Sequence, residues 1–261
     1  MKKAILIVSV GTSQIEALEN TTLRLQAEVA EQFAEYQCYV AFSSQHILEK
    51  MNAKSEMPYM GIADAFEKMY AEGAKEVIVM PTTLLNGLES DSMLEQIEKN
   101  RERFGKVLVG RPLFSTKEDY IKTLQVIISE VELEEEEALV LIGHGTNHLS
   151  NSTYQNLEYT AYTTGNRNVF VGTMEGEKSQ RMTLRKLEAS GFKKVRLMPL
   201  LFVAGYHAKK DIASESGSWK SVLEESGYEV VPNLVGLGEI AGIREIFIEH
   251  LKQVSENIDE R

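Results

Sequence analysis

The chain has 261 residues, of which 43% are apolar, as is typical of a folded globular protein rather than a disordered one. Its net charge is -11 and its isoelectric point lies near 5.1. Contacts to nucleic-acid phosphates need a basic surface, so this charge disfavours a nucleic-acid partner and favours a small-molecule partner. The single cysteine, Cys38, excludes an internal disulfide and cysteine-rich metal motifs, so a metal site would use histidine and carboxylate ligands.

No stretch of the sequence approaches the roughly 18 apolar residues of a membrane span. The opening MKKAILIVSVGTS has too short an apolar run, and no small-residue cleavage pattern, for a signal peptide. We therefore expect a cytoplasmic protein with no membrane partner. The sequence leaves open whether the protein forms a homo-oligomer.

Short aliphatic runs alternate with amphipathic segments in the first half of the chain. The runs are apolar at consecutive positions, which predicts strands that are buried on both faces of a parallel sheet. The segments between them carry apolar residues at three- and four-residue spacing, as amphipathic helices do. This βαβ series predicts four strands, at 4–10, 38–42, 76–81 and 106–112.

The same layout returns in the second half, and the fold class we predict is α/β. The chain is expected to form two similar flavodoxin-like or Rossmann-like halves, 1–130 and 131–261, with parallel sheets around a central cleft. The acidic run at 134–137 marks the joint and is expected to be solvated. The second half has predicted strands at 138–143, 168–174, 194–199 and 228–234.

Two segments of the first half also match the second half residue by residue, which indicates internal duplication. Residues 73–89 align with 191–207, and residues 5–13 align with 139–147. The first match places Glu89 opposite His207. The second places Val10 opposite His144. The duplicated halves therefore differ at two positions where the second half carries an imidazole.

Three polar residues of the second half directly follow predicted strands: His144, Glu175 and His207. Ligands of doubly wound sheets bind beyond the carboxyl ends of the strands, so these side chains share the edge where a ligand is expected. Two imidazoles and one carboxylate suit a first-row divalent ion and leave coordination positions open. The pattern predicts a metal site, and Glu89 takes the matching place in the first half.

Each of these residues also has a simpler interpretation. His144 lies between two glycines, and taken alone it is better explained by a turn in which its ring bonds to backbone. His207 is explained as the start of a helix, and Glu175 as a first-turn acid that the helix dipole favours. Spacing alone does not choose between these interpretations, because the three residues lie far apart in the sequence.

The other three histidines are weaker candidates. His148 is either a further ligand or proton relay, or a polar loop residue. His46 and His250 lie in amphipathic segments and are expected at the surface. The loop VSVGTS offers a different kind of site, because its backbone N–H groups and hydroxyls are able to hold an anion before a helix.

Seven motifs together resemble the CbiK-type sirohydrochlorin cobaltochelatases, the cobalt-inserting enzymes of anaerobic cobalamin synthesis. The resemblance runs from the first strand to the last helix, and MPL-x-x-VAG-x-H followed by GLGE is its most specific part. The motifs are VSVGTS, PTTLLNGLE, IGHGTNH, TMEG, MPLLFVAGYHAKKDIASE, SW and VGLGE.

This resemblance implies a class II chelatase fold that inserts Co2+ into a tetrapyrrole without ATP or another nucleotide. It implies that His144, Glu175 and His207 hold the metal and that Glu89 faces the cleft. His144 would serve in turn as base and ligand, with His207 and Glu89 beside it in the reaction. The glycines around His144 would give a flat macrocycle bare backbone to approach.

The resemblance also indicates where the substrate binds. Sirohydrochlorin carries carboxylates, so an acidic protein needs cations and polar donors at its site, and the candidates are Ser9, Gly11, Thr12, Ser13 and Lys209. Two positions depart from the family pattern: Gln14 stands where the family has an aromatic residue, and the acidic run before SW is thinned at 214–219. There are two alternatives. The protein is a chelatase that inserts iron or nickel, or it is a carrier that binds metal or tetrapyrrole without turnover.

Overall fold

The aliphatic runs of the sequence form two four-stranded parallel sheets. The structure is a computed structural model that describes residues 2–175 and 177–259, apart from the side chains of 177–179, 207 and 257–259. The first sheet has the order β2-β1-β3-β4 and the second the order β6-β5-β7-β8. All eight predicted strands are confirmed. Their bounds are β1 Lys2–Ser9, β2 Tyr36–Phe42, β3 Ala74–Pro81, β4 Lys106–Val109, β5 Glu137–Gly143, β6 Val169–Thr173, β7 Lys194–Pro199 and β8 Glu229–Pro232.

Helices connect the strands. The first helical stretch contains a π-helical segment, Glu19–Leu23, between two α-helical segments. Two short 3-10 helices, Leu149–Asn151 and Leu237–Glu239, precede α7 and α11. The α-helices are α1 Ile15–Leu18, α2 Arg24–Gln32, α3 Gln45–Asn52, α4 Ile62–Ala71, α5 Leu88–Arg101, α6 Lys117–Val131, α7 Ser152–Thr163, α8 Glu177–Ser190, α9 Tyr206–Ala213, α10 Trp219–Glu225 and α11 Ala241–Asp259.

The two sheets repeat one another in register as well as in strand order. Ile5 of the first sheet pairs with Ile78, and Leu139 of the second pairs with Arg196. These four residues occupy equivalent positions in the two sequence alignments described above. The repeat found in the sequence therefore corresponds to a repeat in the structure of each sheet.

The chain divides into two compact units at places that differ from the predicted boundary at 130. One unit comprises 1–115 and 241–261, and the other comprises 116–240. Helix α11 belongs with the first unit because it packs against β3 and β4. Arg244 of that helix also donates two hydrogen bonds of 2.8 Å to the carboxylate of Glu28 on α2. The last helix thus returns to the first sheet.

The second unit begins with α6, and a capping box forms at the start of this helix. The Thr116 hydroxyl accepts from the Asp119 N–H at 3.2 Å, and the Asp119 carboxylate accepts from the Thr116 N–H at 2.8 Å. Such reciprocal bonds satisfy backbone donors that a helix start leaves open. Helix α6 then packs against α7 of the same unit. The boundary therefore precedes α6 rather than following it.

The expectation that the acidic run at 134–137 is solvated is wrong for Glu137. This residue opens β5 and is fully buried. Its two carboxylate oxygens accept from Nε and Nη2 of Arg196, each at 2.9 Å. Burial of a carboxylate is tolerated when such a bidentate partner compensates its charge. Glu134 is also paired, with Lys194 at 2.5 Å.

The expectation that His250 lies at the surface is likewise wrong, whereas that for His46 is confirmed. His250 is 3% exposed and packs edge-on against the ring of Phe247, at 6.4 Å between ring centroids. It is buried because α11 lies against the first sheet. Among the helices that the structure describes, none is both long and apolar enough to cross a bilayer.

Replacing Glu28 with glutamine is expected to lower the free energy of unfolding at pH 7 by about 2 kcal/mol, because it removes the charged acceptor of two hydrogen bonds from the buried Arg244 guanidinium. The Arg244 hydrogen bonds hold the pKa of the Glu28 carboxyl below its ordinary value of 4.5. A lowered pKa adds stability above pH 4.5, and this stability is lost as the pH falls through the folded-state pKa.

Urea denaturation between pH 7 and pH 3 tests this expectation. The difference in unfolding free energy between the wild type and Glu28→Gln should shrink as the pH falls below 4.5. Glu31→Gln, an exposed change on the same helix, is the control and should leave the wild-type pH dependence unchanged. A difference that stays constant with pH would contradict the assignment.

Candidate active site

His144 and Glu175 lie together at the carboxyl edge of the second sheet. They follow the neighbouring strands β5 and β6, and the strand pairing continues past both ends. The Met174 N–H donates to the Gly143 carbonyl at 2.8 Å, and the Glu175 N–H donates to the His144 carbonyl at 2.9 Å. Nδ1 of His144 is 3.7 Å from Oε1 of Glu175, and both side chains are 59% exposed. Two of the three predicted metal ligands are therefore adjacent and open to solvent.

The glycines that flank His144 have packing reasons that the sequence did not reveal. A Cβ on Gly143 would lie 2.1 Å from a ring carbon of Tyr154, so only glycine leaves room for that ring. Gly145 has φ +88°, and a Cβ there would lie 3.0 Å from the Glu175 carbonyl oxygen. These contacts account for both glycines within the protein itself, without an approaching macrocycle.

Tyr154 is a site residue that sequence reasoning missed. It lies on α7, and its hydroxyl accepts from the Gly145 N–H at 3.3 Å. Tyr154 and Glu175 also line a cavity of about 290 Å³, together with the Lys186 and Glu158 ion pair. Nothing in the spacing of IGHGTNH signals this contact, because the tyrosine reaches the loop from the following helix.

His148 is held by its own loop. Its Nδ1 accepts from the Ser150 N–H at 3.1 Å and lies 2.9 Å from the Ser150 hydroxyl. The loop is tied further by hydrogen bonds from His148 N–H to Thr146 and from Thr146 N–H to Asn151, each of 3.1 Å. His148 therefore caps the 3-10 helix that follows, which agrees with its interpretation as a polar loop residue.

The third predicted ligand, His207, is the second residue of α9, and its side chain lies outside the described part of the chain. Glu89 is the second residue of α5, and a glycine, Gly87 or Gly205, precedes each helix as its N-cap. Glu89 is exposed. The alignment of Glu89 with His207 thus holds at the level of the backbone. Among the side chains that are described, no three histidine, cysteine or acidic groups form a metal-binding cluster.

The loop after β1 is stabilised by two of the hydroxyls that were predicted to bind substrate. Ser9 is buried, and its hydroxyl accepts from Thr22 at 3.2 Å. Thr12 is buried too, and its hydroxyl accepts from the Gln14 N–H at 3.2 Å. These bonds fix the shape of the loop.

The remaining predicted substrate residues are placed differently. Gly11 has φ +99°, and a Cβ there would lie 3.1 Å from the Phe42 ring, so a glycine is required in this turn. Ser13 is half-buried and lines a small cavity. Lys209 is half-buried on α9 in the other unit. Of Ser9, Gly11, Thr12 and Ser13, Ser13 has the most accessible side chain.

Sequence comparison identifies the family of this chain. The sequence model of the family described as "Cobalt chelatase (CbiK)" matches residues 3–256. A relative from Salmonella typhimurium, named sirohydrochlorin cobaltochelatase, is 31% identical over 255 residues, which are 97% of this chain and 96% of the relative. A second relative, sirohydrochlorin cobaltochelatase CbiKC from Nitratidesulfovibrio vulgaris, is 31% identical over an alignment of 265 residues. The alignment covers 99% of this chain and 93% of the relative.

Solved structures share the fold at lower sequence identity. SirB from Bacillus subtilis with Fe3+ superposes with a TM-score of 0.72 at 17% identity, covering 100% of this chain and 98% of the other. The sirohydrochlorin chelatase SirB from Bacillus subtilis subspecies spizizenii, in complex with cobalt, superposes with a TM-score of 0.62 at 16% identity. The match covers 98% of this chain and 97% of the other. These likenesses support the α/β chelatase fold. With the family match over nearly its whole length, the chain belongs to the CbiK family of cobalt chelatases.

Proposed function

We propose that this protein inserts Co2+ into sirohydrochlorin, as a step of anaerobic cobalamin synthesis in the cytoplasm, without a nucleotide. The observation that carries the proposal is the near-complete match to two relatives that are named sirohydrochlorin cobaltochelatases. The adjacent and exposed His144 and Glu175 supply the kind of ligands that such a reaction needs.

In this proposal His144, Glu175 and His207 hold the incoming Co2+. An imidazole and a carboxylate are ordinary ligands of first-row divalent ions, and their exposure lets a hydrated ion reach them. The ion is cargo and must leave the protein for the macrocycle. Three ligands with open positions suit this transfer better than a closed tetrahedral cage, since tight binding of the starting state would raise the barrier to release.

The macrocycle must lose two pyrrole protons when the metal enters, so the reaction also needs a base. A neutral imidazole is a base that accepts a proton near neutral pH. We assign this role to His144, which serves in turn as base and ligand, with His207 as the second imidazole. Glu89, exposed on α5, would attract the cation or carry protons away.

Binding of the tetrapyrrole is assigned to the loop after β1 and to α9. Ser9 and Thr12 would act by holding the loop in shape, while Gly11, Ser13 and Lys209 would contact the substrate. The hydroxyl, backbone and ammonium groups of this set suit carboxylates, which an acidic protein would otherwise repel.

The test is an anaerobic absorbance assay of sirohydrochlorin with purified protein and Co2+, Ni2+ or Fe2+ at matched concentrations. We expect insertion of Co2+ well above the spontaneous rate. Faster insertion of Ni2+ or Fe2+ would reassign the metal, because a histidine and carboxylate set does not select cobalt by its geometry. Binding of sirohydrochlorin without acceleration with any metal would instead identify a carrier.

Glu175→Gln is expected to raise the apparent KM for Co2+ by about tenfold, because an amide is a weaker ligand for a cation than a carboxylate. Its effect on the KM for sirohydrochlorin should be under twofold. Glu188→Gln, an exposed change on α8, is the matched control and should leave both values unchanged. An unchanged KM for Co2+ in Glu175→Gln would remove Glu175 from the metal site.

A further inference from the structure

A small cavity in the first unit adjoins the loop after β1. Its volume is about 50 Å³, which is room for a few water-sized groups and far too little for a macrocycle. Its polar lining residues are Thr12, Ser13, Lys54, Ser55 and Tyr59. The Ser55 hydroxyl is already engaged, because it donates to the Met57 carbonyl at 2.6 Å. None of the lining residues is acidic. The chemistry of the cavity therefore suits a single anionic substituent.

Lys54 lies just after α3, on a segment that the fold holds in place. The Lys54 N–H donates to the Met51 carbonyl at 3.1 Å. Asn52 closes the segment: its side chain donates to the Tyr59 carbonyl at 3.1 Å and accepts from the Tyr59 N–H at 2.7 Å. The Tyr59 ring also packs edge-on against Phe42, at 5.6 Å between centroids. The backbone that carries Lys54 is thus pinned at both ends.

Helix α3 in turn is packed against the loop. A Cβ on Gly11 would touch Ile47 and Met51 of this helix at 3.2 Å each, so helix and loop are in close contact. Met51 and Leu18 form the apolar wall of the cavity, and Ile15 at its rim is exposed. An apolar rim beside a cation matches a substrate that carries charged arms on an apolar ring.

Lys54 carries a charge that is open to solvent. Its side chain is exposed, and none of the ion pairs among the described residues involves it. In a chain of net charge -11, a cation beside the side chains of Ser13 and Tyr59 attracts an anion locally. We infer that Lys54 binds a carboxylate arm of the tetrapyrrole, with the Ser13 and Tyr59 hydroxyls beside it. This inference rests on the proposed function and names a substrate contact outside the residue set assigned above.

The experiment measures binding of metal-free sirohydrochlorin to Lys54→Met, which keeps the length of the side chain and removes its charge. The dissociation constant should rise about three- to tenfold, the range for loss of one partly exposed charge-assisted contact. The KM for sirohydrochlorin should rise in step, while kcat and the KM for Co2+ change less than twofold. Lys54→Arg should bind nearly as the wild type does, because it keeps the charge.

Lys50→Met is the matched control, since Lys50 is an exposed lysine of the preceding helix α3 that does not line the cavity. Raising the salt concentration should weaken binding by the wild type more than binding by Lys54→Met. Equal binding by Lys54→Met and the wild type, or equal losses in Lys54→Met and Lys50→Met, would overturn the inference. A wild type that binds sirohydrochlorin but inserts no metal would refute the proposed function, and the binding comparison would still decide the role of Lys54.

Discussion

Replacing His144 with alanine is expected to slow Co2+ insertion by at least about a hundredfold, because it removes a metal ligand and a base together. The side chain is 59% exposed, and among the described residues its Nδ1 contacts the Gly145 carbonyl of its own loop and Glu175. Loss of such a side chain should change the free energy of unfolding by no more than about 0.5 kcal/mol. The expected result is therefore a folded protein with almost no activity, measured by the anaerobic absorbance assay and by urea denaturation.

His46→Ala is the control for this experiment, because His46 is an exposed histidine on α3 of the other unit. It should keep wild-type activity and stability. His144→Gln should be nearly as inactive as His144→Ala, since an amide neither accepts a proton near neutral pH nor binds a divalent ion as imidazole does. Insertion at the wild-type rate by His144→Ala would refute the metal site even if the chain is a chelatase.

The strands were predictable because parallel strands buried on both faces must be aliphatic at consecutive positions. Helix α7 gives a weaker signal in the sequence than the strands do. It buries only Thr153, Leu157 and Ala161, so it has no broad apolar stripe. The return of α11 to the first sheet was missed for another reason, because it depends on contacts between residues such as Glu28 and Arg244, which are far apart in the chain. Patterns of residues that are close in sequence do not reveal contacts between distant residues.

The positions of His144 and Glu175 followed from the same logic as the strands. Residues after adjacent parallel strands must meet at one edge, so their proximity needed only the strand assignment. The reason for each glycine beside His144 could not be predicted from the sequence, because it depends on which groups pack against Gly143 and Gly145. Tyr154 against Gly143, and Glu175 against Gly145, are pairings that only the folded chain reveals.

Gly145→Ala is expected to lower the free energy of unfolding by about 3 kcal/mol, through two additive causes. The left-handed φ of +88° disfavours any residue with a Cβ, and the new Cβ would lie 3.0 Å from the backbone oxygen of Glu175. A backbone oxygen does not move aside as a side chain does, so the shift should reach His144 and Glu175 themselves. We also expect Co2+ insertion to fall by at least about tenfold, since small displacements of reacting groups are costly.

Gly165→Ala separates the two causes. Gly165 follows α7 with φ +93°, nearly the same backbone conformation, but a Cβ there would meet nothing within 4 Å. This variant should lose only the cost of the left-handed conformation, about 1 kcal/mol, and keep its activity. The remaining difference of about 2 kcal/mol between the variants then measures the close contact with Glu175. Equal losses of stability with full activity in both variants would show that Gly145 serves the turn alone and does not hold His144 and Glu175 in place.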